Sequence, residues 1–246
     1  MDIEAKRIKE LKNALDKLYK NLESIKKETI THLGDEALFI IDFHANNWMD
    51  MNIWINTKYN NEELMNIVYI QFFRLFKEIY WLQLLFHYGN YPQIYRNLRY
   101  NLELISQAYY IDSKYPNLSL DEQITETKEI EEKVYGWNLI KSVLCKINEQ
   151  SIELEFKPLW NYLNKYIHPS KIQMEIAAEK DFSSLVTDSF NKDLSEDALQ
   201  ATTEIFDIIN MIIFKKFPRI KEMALEYKHI NEWQEYLPYT MKTIIK

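Results

Sequence analysis

The sequence predicts an all-α protein, a multi-helix bundle with a long amphipathic helix at its N-terminus. Three observations predict it. Only 3 glycines and 6 prolines occur in 246 residues, too little punctuation for the many tight turns of a sandwich or barrel. Apolar residues make up 47% of the chain, and they recur at spacings of three and four rather than alternating. The breaks between these stretches fall at Asn, Ser, Gly and Pro, the residues that start and stop helices. With 27% charged residues beside them, the balance is that of a folded domain and not of a disordered chain.

Each element has its own reason. Ile8, Leu15 and Leu22 recur every seven residues, and Leu11, Leu18 and Ile25 form the row between them. The two rows are an a/d seam along one helix covering residues 1–33, with lysines and acids on the opposite faces and Gly34 as the stop. A seam this short does not make a stable free coiled coil, so a bundle or a dimer must complete it. Residues 36–55 are apolar at helical spacing but broken by Asn46-Asn47, and residues 56–61 read as a loop. Asn61 is then expected to cap a helix with Glu62 and Glu63 in its first turn, where the dipole favours acids. That helix runs through Phe72, Phe76, Ile79, Leu82 and Phe86 and is apolar nearly all round near its end, so it is expected to be central.

Gly89 to Pro92 form the next turn, and Pro92 suits the first position of a helix reaching about Asp112. Ser119 and Glu122 have the spacing of a capping box and open an acidic amphipathic helix. Gly136 is expected to kink it before Trp137, Ile140, Leu144 and Ile147 resume the pattern. Pro158 opens a short helix through His168, which Pro169 stops. Residues 170–194 read as a loop or short helix, Ser195 starts a strong helix ending near Pro218, and one more short helix follows. No internal repeat or long linker divides the chain, so a single helical domain over residues 1–246 is expected.

Composition narrows the function. Subtracting 37 acidic from 30 basic side chains leaves a net charge of −7, the wrong sign for a domain that coats a nucleic-acid backbone. The single cysteine, Cys145, lies in an apolar run and reads as an inert core thiol. No stretch approaches the about 18 apolar residues of a membrane span, and the first residues lack the apolar run of a signal peptide; no membrane association and a cytoplasmic location are expected. Three isolated glycines cannot build a phosphate-binding loop. Glu226 and His229 have the spacing of half a helical di-iron site, but no other histidine has a glutamate three residues before it. Asp42-Phe43-His44 lacks partners too. No metal and no cofactor are expected.

Two segments carry more. Arg99 and Glu103 lie at i, i+4 on one helix face, as do Arg96 and Tyr100, either as a surface ion pair or as a partly buried pair ordering a polar pocket. In the segment from Leu159 to Ser170, Trp160, Leu163 and Ile167 form the buried stripe, while Asn161, Asn164, Lys165 and His168 share another face. That gathers two amides, a cation and a titratable base at a helix C-terminus, where the dipole favours a protonated histidine. Alternatively, His168 caps the last carbonyls of its own helix.

An Arg-containing helix with Arg96, Arg99 and Glu103, followed by a short helix ending Tyr166-Ile167-His168-Pro169-Ser170, resembles the HEPN superfamily of helical domains over residues 70–215. The resemblance implies a homodimer. Members that cut RNA carry an Arg and a His with four to six residues between them, the His moving a proton at the ribose 2′-OH and the Arg steadying the phosphate without a metal. Here the positions from Asn161 to Leu163 hold no arginine, and Lys165 lacks the planar fork of a guanidinium. The resemblance therefore implies a protein that binds RNA or a protein partner through Arg96, Arg99, Glu103, Asn161, Asn164 and Lys165, with catalysis degenerate. The alternatives are a metal-independent ribonuclease centred on His168, and a helical scaffold whose N-terminal seam recruits a partner helix.

Overall fold

The N-terminal heptads form α1 (Ile3–Leu33), one helix of 31 residues. Ile25, Thr29 and Leu33 at its C-terminal end are buried, whereas Ile8 and Leu15 of the same seam are exposed. The computed structural model describes residues 3–33, 36–147, 150–166, 190–227 and 230–245, and no strand occurs among them. Among the described residues eleven further helices follow: α2 (Glu36–Lys58), α3 (Asn61–Leu64), α4 (Ile67–His87), α5 (Tyr91–Lys114), α6 (Leu120–Lys133), α7 (Gly136–Lys146), α8 (Gln150–Asn164), α9 (Lys192–Lys216), α10 (Lys221–Leu225), α11 (Ile230–Tyr236) and α12 (Pro238–Ile245), with a 3-10 turn at Pro218–Ile220. Among the described residues no helix is long and apolar enough to cross a membrane.

The centre belongs to α9. Ten consecutive residues, Ile205 to Phe214, are buried there, which requires neighbours on every side. It packs against α5, α12, α1, α2 and α4. Its enclosed polar residues draw on other elements: Asn210 Oδ1 accepts from the Trp48 indole at 2.6 Å, while its Nδ2 has no partner among the described residues. The Asp207 carboxylate accepts the backbone N–H groups of Tyr239 and Thr240, each at 2.8 Å. Those amides belong to the first turn of α12, so a carboxylate from a distant helix caps it, satisfying donors that no preceding turn can reach. Burial pushes the Asp207 carboxyl up to about 6, against the pull of these hydrogen bonds and of Lys242.

The expectation that the helix through residues 62–86 is the central one is corrected. Its inner stripe, Val68, Phe72, Leu75, Ile79, Leu82 and Phe86, is buried at helical spacing, but Ile70, Phe73, Tyr80, Trp81 and Leu84 of α4 remain exposed. Apolar on nearly all sides is not a sufficient mark of a buried helix.

Several boundaries also differ, for local reasons. Asn46-Asn47 does not break α2, because the Asn47 side chain turns inward and accepts from the Trp233 indole at 2.9 Å. The expected loop at 56–61 shrinks: α2 continues to Lys58, and Asn60 rather than Asn61 caps α3, since Glu63 reaches back to complete a capping box. Asn66 then caps α4 through Tyr69 N–H. Gly136, at φ 60°, opens α7 instead of kinking a continuous helix. Pro158 lies inside α8 rather than at its start; the carbonyl it leaves without a helical donor is that of Leu154, a residue 79% exposed, where water can serve. Asn191, not Ser195, caps α9, and the tail holds three helices rather than one.

Candidate functional site

The polar edge expected from the sequence exists between α5 and the C-terminal end of α8. Arg96, Arg99 and Glu103 recur at i, i+3 and i+7 along α5 and so share one side of it. Arg99 is the hub. Its Nε and Nη2 donate to Glu103 Oε1 at 3.3 and 3.1 Å, and its Nη1 donates to Asn164 Oδ1. The guanidinium also lies over the Trp160 ring, 4.7 Å from its centroid, a cation–π contact on a buried indole. Arg96 donates from Nε to the Tyr166 carbonyl at 2.8 Å, just past the end of α8, where orphan carbonyls and the negative end of the dipole attract a cation. The pair is thus the partly buried alternative rather than a loose surface ion pair.

A tyrosine cluster backs this edge. Tyr95 stacks on Tyr166 with ring centroids 4.3 Å apart and meets Tyr162 edge-on at 5.3 Å. Tyr166 donates its hydroxyl to Tyr162 at 3.2 Å, and Tyr162 donates to Asp197 Oδ2 at 3.1 Å. Tyr95 donates to the Leu194 carbonyl at 3.3 Å. Burial pushes all three phenols well above the ordinary tyrosine range, so they act as neutral donors and not as bases. Beside them an open cleft of about 410 Å³ runs between α8 and α9, lined by Glu155, Leu159, Tyr162, Asp197, Gln200 and Glu204 among others. Three carboxylates on its walls repel a polyanion.

The structure brings Arg99, Glu103 and Asn164 into one network, with Arg96 beside it on the Tyr166 carbonyl. It does not bring Asn161, which is exposed and makes none of these contacts, and Lys165 sits over the Tyr162 ring at 5.3 Å, away from Arg99's network. His168 lies outside the described residues, as does His229. His44 is fully buried against Phe206 and Phe43, with ring centroids 4.9 and 5.3 Å away. Burial lowers its imidazole to about 3, and neither ring nitrogen meets a protein partner. Cys145 is half-buried and unbridged. Among the described residues no group of three His, Cys, Asp or Glu side chains could hold a metal.

Tyr95, Tyr162 and Asp197 were not singled out by the sequence. Tyr162 and Tyr166 at i, i+4 were a readable signal, but Tyr95 and Asp197 reach the site only through the packing of α5 and α9 on α8. Comparison with family models, with curated proteins and with solved structures finds no match for this chain.

Proposed function

We propose that this chain is a HEPN-like helical binding module that engages a protein partner, with the ribonuclease chemistry of that superfamily lost. One observation carries the reading: the Arg99 guanidinium is engaged inside the chain. Arg99 holds Glu103, Asn164 and Trp160, so its donors are directed at the protein's own atoms rather than outward at a phosphodiester, while Arg96, exposed beside it, gives its Nε to the Tyr166 carbonyl. The acidic cleft beside them and the net charge of −7 weigh against RNA as the target, because phosphate contacts dominate nucleic-acid affinity.

The test is incubation of the purified protein with labelled single-stranded RNA in EDTA at about 0.15 M salt. Intact RNA and unchanged anisotropy are expected. Cleavage that disappears in His168→Ala overturns the reading in favour of the ribonuclease.

The same reading includes a homodimer, supported by the seam of α1, which runs from the buried Ile25 out to the exposed Leu15 and Ile8. Equilibrium sedimentation should show a dimer that Ile8→Lys with Leu15→Lys dissociates; a monomeric wild type removes this part. Deleting residues 1–33 is the poorer test, because Ile25, Thr29 and Leu33 belong to the core.

A further inference from the structure

The outer side of α4 carries more exposed apolar surface than a solvent-facing helix needs. Ile70, Phe73, Tyr80, Trp81 and Leu84 are 42, 60, 52, 48 and 43% exposed. Positions 70, 73, 77, 80 and 84 step by three and four residues, the spacing of a helix-packing seam, and Lys77 occupies its middle. The other exposed charge on α4 is Arg74, whose Nη2 donates to the neutral Tyr100 hydroxyl at 3.1 Å. Neither cation joins an ion pair among the described residues. An acidic protein therefore presents one apolar helix face whose fully exposed charges, Arg74 and Lys77, are both positive, with the half-buried Glu78 at its margin.

We propose that this face is the docking site for an amphipathic helix of another protein, with apolar residues along the seam and carboxylates placed to meet Arg74 and Lys77. The proposal rests on the binding-module reading above and names the surface and the chemistry of the partner. Size fits a single helix. Three half-exposed aromatic rings, at about 150–250 Å² each when fully buried, offer on the order of 300 Å², below the roughly 800 Å² that a standard globular interface takes from each side. Charge selects the sign, because a cation closed into an apolar seam is stable only opposite an anion. It also argues against a second copy: pairing α4 with its symmetry mate would bring two copies of Lys77 close to the two-fold axis. Two cations are few for a phosphate backbone, whose contacts dominate nucleic-acid affinity.

A displayed library of amphipathic helices with a fixed apolar seam and flanking positions drawn from Glu, Gln and Lys tests this. The library is sorted against the full chain and counter-sorted against Phe73→Ser/Trp81→Ser. Both substituted residues are exposed, and an unchanged thermal melt verifies the fold. Enriched helices should carry excess Glu, bind the double variant roughly tenfold more weakly or worse, and shift toward Lys when the target is Arg74→Glu/Lys77→Glu. No enrichment over the double variant, or flanks without a sign, overturns the proposal. So does displacement of the selected helices by oligouridine RNA, which gives the face to nucleic acid. Loss of a wild-type dimer in the double variant assigns it to a second copy and overturns it too. RNA cleavage dependent on His168 would overturn the binding-module reading while leaving the selection result standing, so the two can fail separately.

Discussion

The sequence reads α4 as apolar nearly all round near its end and α9 as a strong helix, yet the molecule encloses α9 and leaves one side of α4 open. α9 is enclosed, and its polar groups show it: Asp207 and Asn210 each meet a partner from another element, α12 and α2 respectively. α4 is enclosed on one side only, and on its other side Arg74 and Lys77 stand among exposed rings. The lesson is that hydrophobicity alone does not rank helices by depth. The polar residues interspersed among the apolar ones do so better, since most buried polar groups are hydrogen-bonded and an exposed one need not be.

The strongest way to break this contrast is acid. His44 packs on Phe206 of α9, and burial holds its imidazole near 3. The unfolded chain binds that proton at about 6.5, so the stability His44 contributes is complete above about 6.5 and is lost as pH falls toward 3. Relative to wild type, His44→Phe should gain on the order of 3 kcal/mol between pH 6.5 and 4.5 in urea titrations. Parallel curves would mean that α9 is not enclosed at this point. Asp207 acts with the opposite sign. Its proton is held more tightly folded than unfolded, with a carboxyl near 6, so wild-type stability relative to Asp207→Asn should fall by roughly 2–3 kcal/mol as pH rises from about 4 to about 6. A constant offset across that range would remove the burial argument.

At the α5–α8 edge, Arg99→Ala leaves Glu103 and Asn164 without their donor and should cost about 1–3 kcal/mol, read from the thermal midpoint. The smallest effect belongs to α4: Phe73→Ser/Trp81→Ser should stay within about 0.5 kcal/mol of wild type in the same melts. A large loss there would mean the outer face is covered within the chain, and the contrast with α9 would disappear.

The helices were legible because their signals are local. Asn90 with Pro92, Ser119 with Glu122 and the residues around Pro218 act on neighbours within one turn. What stayed hidden depended on distant atoms. Asn47 is harmless inside α2 only because Trp233 donates to it, and Pro158 is tolerated inside α8 because the residue four before it faces water. At the candidate site, the i, i+4 relation of Arg99 and Glu103 was readable and is present. That both arginines reach the end of α8, and that Arg99 is used up there, follows from the packing of two helices whose bonded residues lie 65 and 70 positions apart in sequence. No spacing rule reports which way a guanidinium finally points.

The cap that Asp207 provides for the first turn of α12 ties the interior to residues more than thirty positions downstream, Tyr239 and Thr240. During synthesis the carboxylate is in place, but its two amide donors are not, until residues 239 and 240 have left the ribosome. Until then a hydrated, ionised group sits where the interior must close. The nascent bundle should therefore remain open to proteases and chaperones until residues 239 and 240 emerge, and ribosome-stalled chains ending before residue 239 are where that late closure would be seen.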